Sequence, residues 1–467
     1  MNEFRRVCFL LSLAAVTATV GLSTSNASAD NAQPPNIVML ISDDQSWTDY
    51  GFMGHAVIQT PHLDRLASRS AVFRRGYVPT ALCRPSLATM ITGLYPHQHG
   101  ITGNDPTPDP ALSNAQSDAL REQLIAKLDR FDTIPDLLSK RGYLSFQSGK
   151  WWEGSFARGG FTNGMTRGFP EKGGRHGDDG LKIGREGMKP VTDFMDRAVA
   201  QKKPFFLWYA PFLPHTPHNP PQRILKKYEQ AGRDPALAKY YAMCDWFDET
   251  CGAVVDHLDK AGVADNTLVV YVTDNGWIQR TADTQVPGNW KNGFAPKSKQ
   301  SPNEGGTRTP ILLCWPKHIP SSDRPELVSS IDLAPTMLKV AGANLPENLP
   351  GLDLLPVVTG QKELGRDEIF GESFAHDVAD IDNPEASLLY RWVIQGQWKL
   401  LLTYDGKVNR YAAVHAAHDK RPQLYDLLTD PHETTNLAAD HADVVARLAN
   451  KLQDWWTVKD RKVLAAE

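Results

Sequence analysis

The chain has 467 residues, of which 41% are hydrophobic, and its formal net charge at pH 7 is −4. This length and apolar content suffice for one large domain and a smaller one. The slightly acidic balance argues against a nucleic-acid-binding protein, which usually carries a basic face, so no nucleic-acid partner is expected.

The N-terminus has the pattern of a secretory signal. Two arginines precede an apolar run over residues 7–20, and Ala27-Ser28-Ala29 offers small residues for cleavage. We therefore predict a signal peptide at residues 1–29 and a mature protein that is periplasmic or secreted. No later stretch is long and apolar enough to span a bilayer, so stable membrane insertion is not expected.

Export raises the question of disulfides, because four cysteines would remain in the mature chain. Cys244 and Cys251 lie seven residues apart in a predicted helix, which separates them by about 10 Å along its axis. One straight helix cannot bridge that distance, so no disulfide framework is predicted.

Five short apolar runs are typical of strands that are buried on both faces of a parallel sheet. They span residues 36–41, 142–146, 204–209, 267–272 and 311–315. Helical patterns alternate with them, one with Thr60 as its N-cap, one opening at Thr133 and one over residues 240–261. The alternation predicts an α/β fold: a large domain at residues 30–365 with a mostly parallel central sheet flanked by helices.

The pattern changes in the C-terminal part of the chain. Two runs, 390–394 and 398–402, flank Gln395-Gly396-Gln397 as in an antiparallel hairpin. A short strand at 424–427 and a helix at 442–456 follow. We predict a small C-terminal α+β subdomain with an antiparallel sheet at residues 366–467.

Polar side chains follow four of the predicted strands. They are Asp43 and Asp44 after the first strand, Lys150 after the second, His215 in a proline-rich loop after the third, and Asp274 and Asn275 after the fourth. Ligands bind outside the carboxyl ends of parallel strands, so these side chains are expected to meet. The carboxylates and the amide offer hard oxygens, the ligand set of Ca²⁺ or Mg²⁺ rather than zinc. Taken alone, Asp43-Asp44 also fits a helix cap or a solvated turn.

The stretch that begins at Cys83 combines a cysteine with helix-start and helix-stop signals. Pro85 suits a first helical turn, and Gly93 is placed to end the helix. Cys83 would then be a loop residue just outside the helix, among free N–H groups that favour anions. That is a reactive position, although an isolated cysteine is more often a buried small hydrophobe.

Two further segments carry positive charge. Lys299 precedes the string Glu304-Gly305-Gly306-x-Arg308-x-Pro310, in which a tight turn leads into the fifth strand. Residues 154–189 are rich in glycine and in basic residues. We predict that they form a long surface loop, either a solvated insertion or a wall of an anionic-substrate pocket.

From residue 36 to residue 437 these motifs resemble the sulfatase family, the formylglycine-dependent type I sulfatases of the alkaline-phosphatase-like superfamily. The resemblance rests on Cys83-x-Pro85-Ser86 with Thr92-Gly93, on Asp43-Asp44 and Asp274-Asn275, on Gly149-Lys150-Trp151, and on the Lys299 string. It implies an enzyme that hydrolyses sulfate esters. Export, the basic glycine-rich loop and the many tryptophans favour a sulfated carbohydrate over a small aryl ester as the substrate.

The resemblance also implies roles for individual residues. Asp43, Asp44, Asp274, Asn275 and a modified Cys83 would hold Ca²⁺, with Mg²⁺ as an alternative. A maturation enzyme would oxidise Cys83 to formylglycine, whose hydrated aldehyde attacks sulfur. Lys150, His215 and Lys299 would be catalytic and would bind the sulfate, and either His215 or Lys299 would give a proton to the leaving alcohol.

Two positions depart from the family pattern. Leu87 stands where the family has an arginine, and Trp152 where it has a histidine. Arg84, His97 and His99 are close enough in sequence to substitute. These departures keep open a non-catalytic binder of sulfated glycans. A phosphoester or phosphonate hydrolase on the same fold is a second alternative, because sulfate and phosphate esters share a tetrahedral anionic shape.

Overall fold

The structure is a computed structural model that describes residues 33–464, apart from residues 287, 289 and 406–420. The described residues from Pro34 onward belong to one compact unit. The predicted signal peptide at residues 1–29 lies outside the described residues. No helix in the described ranges combines the length and apolar character needed to cross a membrane.

A nine-stranded sheet forms the centre of the large domain. The first ten strands of the chain are β1 (Asn36–Ser42), β2 (Ala71–Tyr77), β3 (Asp105–Pro106), β4 (Leu144–Gly149), β5 (Asn163–Gly164), β6 (Phe205–Ala210), β7 (Thr267–Thr273), β8 (Arg308–Cys314), β9 (Ser322–Arg324) and β10 (Val328–Ser329). All but β3 belong to this sheet, in the order β10-β2-β8-β7-β1-β6-β4-β5, with β9 beside β2. The five predicted strands therefore lie in the sheet, as β1, β4, β6, β7 and β8.

The sheet is mostly parallel, as predicted, and the fifth predicted strand is its exception. β1 runs parallel to β6 and β7, and β4 runs parallel to β6. β8 runs antiparallel to both of its neighbours, β2 and β7. The segment before β8 consequently arrives at the same edge of the sheet as the carboxyl ends of β1 and β7.

Helices cover both faces of this sheet. The α-helices of the described residues are, in chain order, α1 (Pro61–Ala67), α2 (Cys83–Thr92), α3 (Pro96–His99), α4 (Asn114–Ile125), α5 (Ile134–Ser139), α6 (Lys189–Ala200), α7 (Gln222–Tyr228), α8 (Pro235–Lys260), α9 (Glu304–Thr307), α10 (Leu333–Val340), α11 (Leu355–Val358) and α12 (Ala442–Trp455). Strand β1 shows why two helical layers form: Ile37, Met39 and Ile41 pack with residues of α2 and α10, and the alternate Val38 and Leu40 pack with residues of α6 and α8.

Two helices differ from the prediction, α8 in its start and α1 in its N-cap. α8 begins at Pro235, five residues earlier than the predicted start at Tyr240. Thr60 occupies the N-cap position of α1, but its side chain makes no capping hydrogen bond. Asp248 of α8 accepts the backbone N–H groups of His62 and Leu63 at 3.1 and 2.7 Å instead. A side chain from elsewhere in the fold therefore caps α1.

A second, antiparallel sheet lies in the C-terminal part, as predicted. Its strands are β11 (Glu368–Phe374), β13 (Leu388–Gln395), β14 (Trp398–Thr403) and β15 (Gln423–Asp426), while the two-residue β12 (Asp377–Val378) pairs with β3. Leu448 and Leu452 of α12 pack against one face of the antiparallel sheet. Trp392 and Leu401 of the other face pack with Tyr77 of β2. The boundary at residue 365 stays a prediction.

Candidate active site

The predicted site residues meet at one edge of the large sheet, and six of them are almost fully buried. These six are Asp43, Asp44, Cys83, Lys150, Asp274 and Asn275. Local backbone geometry directs two of them. Gly149 has φ 83°, and a Cβ there would lie 1.8 Å from the Ala210 carbonyl oxygen, so glycine is needed for the turn that presents Lys150. Asp44 itself has φ 67°, a conformation that is uncommon outside glycine and concentrates at functional sites.

Four side chains that can bind a metal lie close together in the site. Asp43, Asp44, Cys83 and His215 each have a ligand atom within 4.8 Å of those of the other three. The backbone N–H of Asp44 donates to Asp274 Oδ1 at 3.1 Å, which brings the end of β7 against the end of β1. The structure thus joins the strand ends that the sequence predicted to converge.

Three oxygen atoms of this cluster are buried and have no hydrogen-bond partner in the described structure: Asp43 Oδ2, Asp274 Oδ2 and Asn275 Oδ1. A buried acceptor without a donor costs about 1–3 kcal/mol, and more when it is charged. A cation among them removes that cost, and hard oxygen donors suit Ca²⁺ or Mg²⁺. The residues present therefore fit a divalent cation.

Two lysines neutralise the carboxylates. Lys150 Nζ lies 2.7 Å from Asp43 Oδ1 and 3.9 Å from Asp274 Oδ2. Lys299 Nζ lies 2.6 and 2.7 Å from the two carboxylate oxygens of Asp44. Burial by itself lowers the pKa of a lysine, but the surrounding carboxylates outweigh burial and raise the pKa of both above the ordinary value. Both ammonium groups are therefore charged.

The carboxyl groups divide in their proton affinity. Burial would raise the pKa of Asp44, but Lys299 and its neighbours outweigh burial and hold this pKa at about 2. Burial raises the pKa of Asp43 to about 7 despite the ion pair with Lys150, and burial also raises the pKa of Asp274. The three carboxyl groups are more than the two lysines can neutralise, and a bound cation would stabilise the remaining buried negative charge.

Cys83 is the first residue of α2, whose N-cap is Leu82, so it lies one position further into the helix than predicted. Gly93 ends the helix with φ 74°, as predicted. The Cys83 thiol lies 3.3 Å from Lys299 Nζ and 4.0 Å from Asp43 Oδ1. Burial raises its pKa to about 12 in spite of the two lysines. A thiol with this pKa is protonated at neutral pH and is a poor nucleophile.

His215 faces the same group of atoms. Its Nε2 lies 3.3 Å from Asp44 Oδ2 and 3.4 Å from Lys299 Nζ. Its Nδ1 lies 2.6 Å from the Thr216 carbonyl oxygen, which can only accept, so Nδ1 carries the proton. Burial lowers the pKa of His215 to about 4, which leaves a neutral ring with its Nε2 lone pair toward Lys299.

The two departures from the family pattern are buried, and the three nearby basic side chains pair with groups elsewhere in the fold. Leu87 packs in the core beside the sheet. Arg84 donates to both carboxylate oxygens of Glu153 at 2.7 and 2.6 Å. His97 binds Glu372, and His99 lies 3.2 Å from Thr89 Oγ1. Arg84 also donates to the Asn104 carbonyl oxygen at 3.1 Å, and His99 Nδ1 accepts from the Ile101 backbone N–H at 3.1 Å. The substitution expected of these basic residues stays a prediction.

The glycine-rich segment forms a wall of the site. The backbone N–H of Trp151 donates to the His176 carbonyl oxygen at 3.2 Å, which holds the segment against the end of β4. The His176 ring lies beside Trp152, with 5.1 Å between ring centres, and the Arg175 guanidinium lies 4.6 Å from the centre of the Trp152 ring. Sequence reasoning missed His176, although it is the one histidine in residues 154–189.

Comparison with known proteins agrees with this geometry. The sulfatase family profile matches residues 35–343, and a profile described as the C-terminal region of N-sulphoglucosamine sulphohydrolase matches residues 298–457. Arylsulfatase A of Homo sapiens is 29% identical over 92% of this chain and 88% of its own. N-acetylgalactosamine-6-O-sulfatase of Bacteroides thetaiotaomicron is 23% identical over 97% of this chain and 99% of its own.

Among solved structures, Ps i-CgsB in complex with k-i-k-neocarrahexaose superposes with a TM-score of 0.69 at 25% identity, covering 91% of this chain and 93% of that one. The two profiles together match residues 35–457, which is nearly the whole described chain, and the fold and the cluster of site residues at the sheet edge agree with them. The protein belongs to the sulfatase family of sulfuric ester hydrolases.

Proposed function

We propose that this chain is an exported, calcium-dependent sulfatase that removes sulfate from carbohydrate esters, using a formylglycine formed from Cys83. The observation that carries the proposal is the position of Lys299: one ammonium group contacts both the Asp44 carboxylate and the Cys83 side chain. Its charge therefore lies where a nucleophile at residue 83 would meet an anionic ester. A site that only bound glycans would have no need for this arrangement around a buried cysteine.

The calcium ligands in this proposal are Asp43, Asp44, Asp274 and Asn275, with the oxygens of the modified Cys83. The orphaned oxygens of three of these residues support it, because each needs a positive partner. Bound Ca²⁺ would supply Lewis-acid polarisation of the ester group. The formylglycine would supply the hydrated aldehyde as nucleophile, a role that the Cys83 thiol cannot fill at its raised pKa.

The chain's own residues then bind and orient the substrate. Lys150 is paired with Asp43 and Lys299 with Asp44, so the two ammonium groups can contact two different oxygens of a tetrahedral anion. Fixed positive charges of this kind stabilise the negative charge that develops in the transition state. They also place the ester against residue 83 and limit its rotation.

Proton supply to the leaving alcohol falls to Lys299. His215 is neutral, and its Nε2 lone pair faces Lys299 Nζ at 3.4 Å. An imidazole in that state accepts a hydrogen bond and has no proton to give from Nε2. We therefore assign His215 to orienting the Lys299 ammonium and contacting the ester, and Lys299 to donating the proton.

The carbohydrate substrate is supported by the names of similar proteins, which include an N-acetylgalactosamine-6-O-sulfatase. Export is supported by the N-terminal pattern at residues 1–29. Its partners would be the sulfated carbohydrate and a formylglycine-generating maturation enzyme. Cell fractionation of the native host, with the protein expected in the periplasm or the medium, tests export.

The test of activity is desulfation by natively produced protein of a panel of defined sulfated saccharides, with matched aryl sulfate and aryl phosphate esters in parallel. Sulfate release from at least one saccharide is expected, at a higher kcat/KM than any phosphate or phosphonate ester gives. Faster phosphate or phosphonate ester hydrolysis would favour that class instead. Saturable glycan binding without any sulfate release would identify a binder.

A further inference from the structure

One basic residue at the site has no role in the arrangement described above. His176 lies in the glycine-rich wall, 26 residues after Lys150 in sequence. Its Nδ1 atom is buried and has no hydrogen-bond partner in the described structure. An unsatisfied buried nitrogen of this kind calls for a ligand or a water, because leaving it unpaired costs free energy.

The surroundings of His176 place it next to the catalytic groups. Its ring lies 5.6 Å from the centre of the Phe212 ring. Phe212 stacks on His215 with 4.3 Å between ring centres, and Lys150 Nζ lies 5.5 Å from the Phe212 centre. Three basic side chains of the site therefore share one aromatic neighbour.

The charge environment agrees with that position. Burial lowers the pKa of His176, and together with the positive charges of Lys150, Arg175 and Lys299 it brings this pKa to about 3. The imidazole is therefore neutral, with one N–H to donate and one lone pair. An additional full charge beside two ammonium groups is avoided, while the capacity to bind an anionic oxygen is kept.

We infer that His176 is a substrate-contacting residue, whose imidazole donates a hydrogen bond to an oxygen of the anionic group held by Lys150 and Lys299. This inference rests on the proposed function. It also accounts for Trp152: the ring that follows Lys150-Trp151 here is an indole, and the imidazole arrives from a separate segment that packs against it at 5.1 Å. The histidine is supplied by tertiary structure and not by the local motif.

Two substitutions separate hydrogen bonding from packing. His176→Phe keeps an aromatic ring against Trp152 and Phe212 but removes both ring nitrogens. His176→Asn places an amide N–H close to the Nδ1 position. The matched control is His257→Phe, at the C-terminal turn of α8, where the histidine binds Asp196 at 2.8 Å on the protein surface.

The first measurement is the affinity of the full-length, calcium-loaded protein for inorganic sulfate by calorimetry, with melting temperatures to confirm folding. We expect His176→Phe to bind sulfate about tenfold more weakly than wild type, the effect of one hydrogen bond to a charged group. His176→Asn should recover part of the loss, and His257→Phe should match wild type. If His176→Phe fails to fold, His176→Leu compared with His176→Asn makes the same test.

Three results would each overturn the role of His176. They are equal sulfate affinity in wild type and His176→Phe, an equal loss of affinity in the His257→Phe control, and no sulfate binding by wild type. The kcat/KM for a sulfate ester is the second measurement and separates this inference from the proposed function. An active wild type with an unaffected His176→Phe overturns only the role of His176. An inactive wild type that binds sulfate through His176 overturns only the hydrolase.

Discussion

Glu433 accepts a hydrogen bond from the backbone N–H of Glu304, with 2.7 Å between Oε2 and N. Glu433 belongs to the C-terminal part of the chain, and Glu304 begins the short helix α9, five residues after Lys299. Lys399 of β14 lies between the two glutamates, 2.9 Å from Glu304 Oε1 and 3.1 Å from Glu433 Oε1. The C-terminal part of the chain thus holds the segment that carries Lys299.

The first prediction concerns this buried charge cluster. Lys399→Met leaves two buried glutamates without their common cation, and we expect the free energy of unfolding to fall by about 3–5 kcal/mol. Urea unfolding measures it. Lys451→Met, which removes a surface ion pair with Glu368, is the control and should cost less than about 1 kcal/mol. A loss in Lys399→Met no larger than in this control would contradict the prediction.

A second prediction is that Cys83 is converted to formylglycine in the native host although Leu87 replaces an arginine. The retained oxygen ligands and both lysines are of little use with a thiol whose pKa is about 12. Peptide mass spectrometry of native protein should show the aldehyde, and an aldehyde probe should label it. Unmodified thiol throughout active protein would refute the mechanism, and full activity of Cys83→Ala would exclude residue 83 as nucleophile.

The third prediction concerns the metal. Asp43→Ala and Asp274→Ala should each abolish sulfate release, because the cation loses a ligand and the remaining carboxylates keep their mutual repulsion. Chelation should inactivate wild type and lower its melting temperature, and added Ca²⁺ should restore both. Asp256→Ala, in a surface pair with Arg65, serves as control and should stay active. Full activity after thorough chelation would count against the calcium site.

The fourth prediction is a pH dependence of stability that arises from Asp248. Burial raises the pKa of this carboxyl to about 7 from the model-compound value of 3.8. The folded state therefore holds a proton that the unfolded state has lost between about pH 4 and pH 7. The stability that this proton contributes is complete below about pH 4. It declines as the pH rises from about 4 to about 7 and is lost above the pKa of the folded state.

Asp248→Asn removes this titration but keeps one acceptor for the N-terminus of α1. The free energy of unfolding should consequently fall less between pH 5 and pH 8 in the variant than in wild type, by an amount on the order of 1–3 kcal/mol. Urea unfolding at the two pH values measures it, with Asp256→Asn as a surface control. An identical pH dependence in wild type and Asp248→Asn would show that the carboxyl is ionised throughout.

Local patterns in the sequence were sufficient for five strands of the large sheet, for three strands of the C-terminal sheet, for the starts of α1, α5 and α12, and for the polar residues at the strand ends. An apolar run between turn residues has few other ways to bury its side chains than as a central strand. The carboxyl ends of parallel strands share an edge whatever the order of those strands. For these reasons Asp43, Lys150, His215 and Asp274 could be expected together before their distances were known.

Contacts between segments far apart in the chain were decided by tertiary structure alone. Asp248 caps α1 from 185 residues away, in place of Thr60. The antiparallel direction of β8 brings Lys299 to the sheet edge where the carboxyl ends of β1 and β7 lie. The glycine-rich segment brings His176 beside Trp152. Burial, which depends on the whole fold, raises the pKa of the Cys83 thiol at a helix start that local sequence predicted to be a reactive position. Hydrophobic alternation and turn residues act over a few neighbouring positions, whereas desolvation and long-range hydrogen bonds depend on which segments the completed fold places side by side.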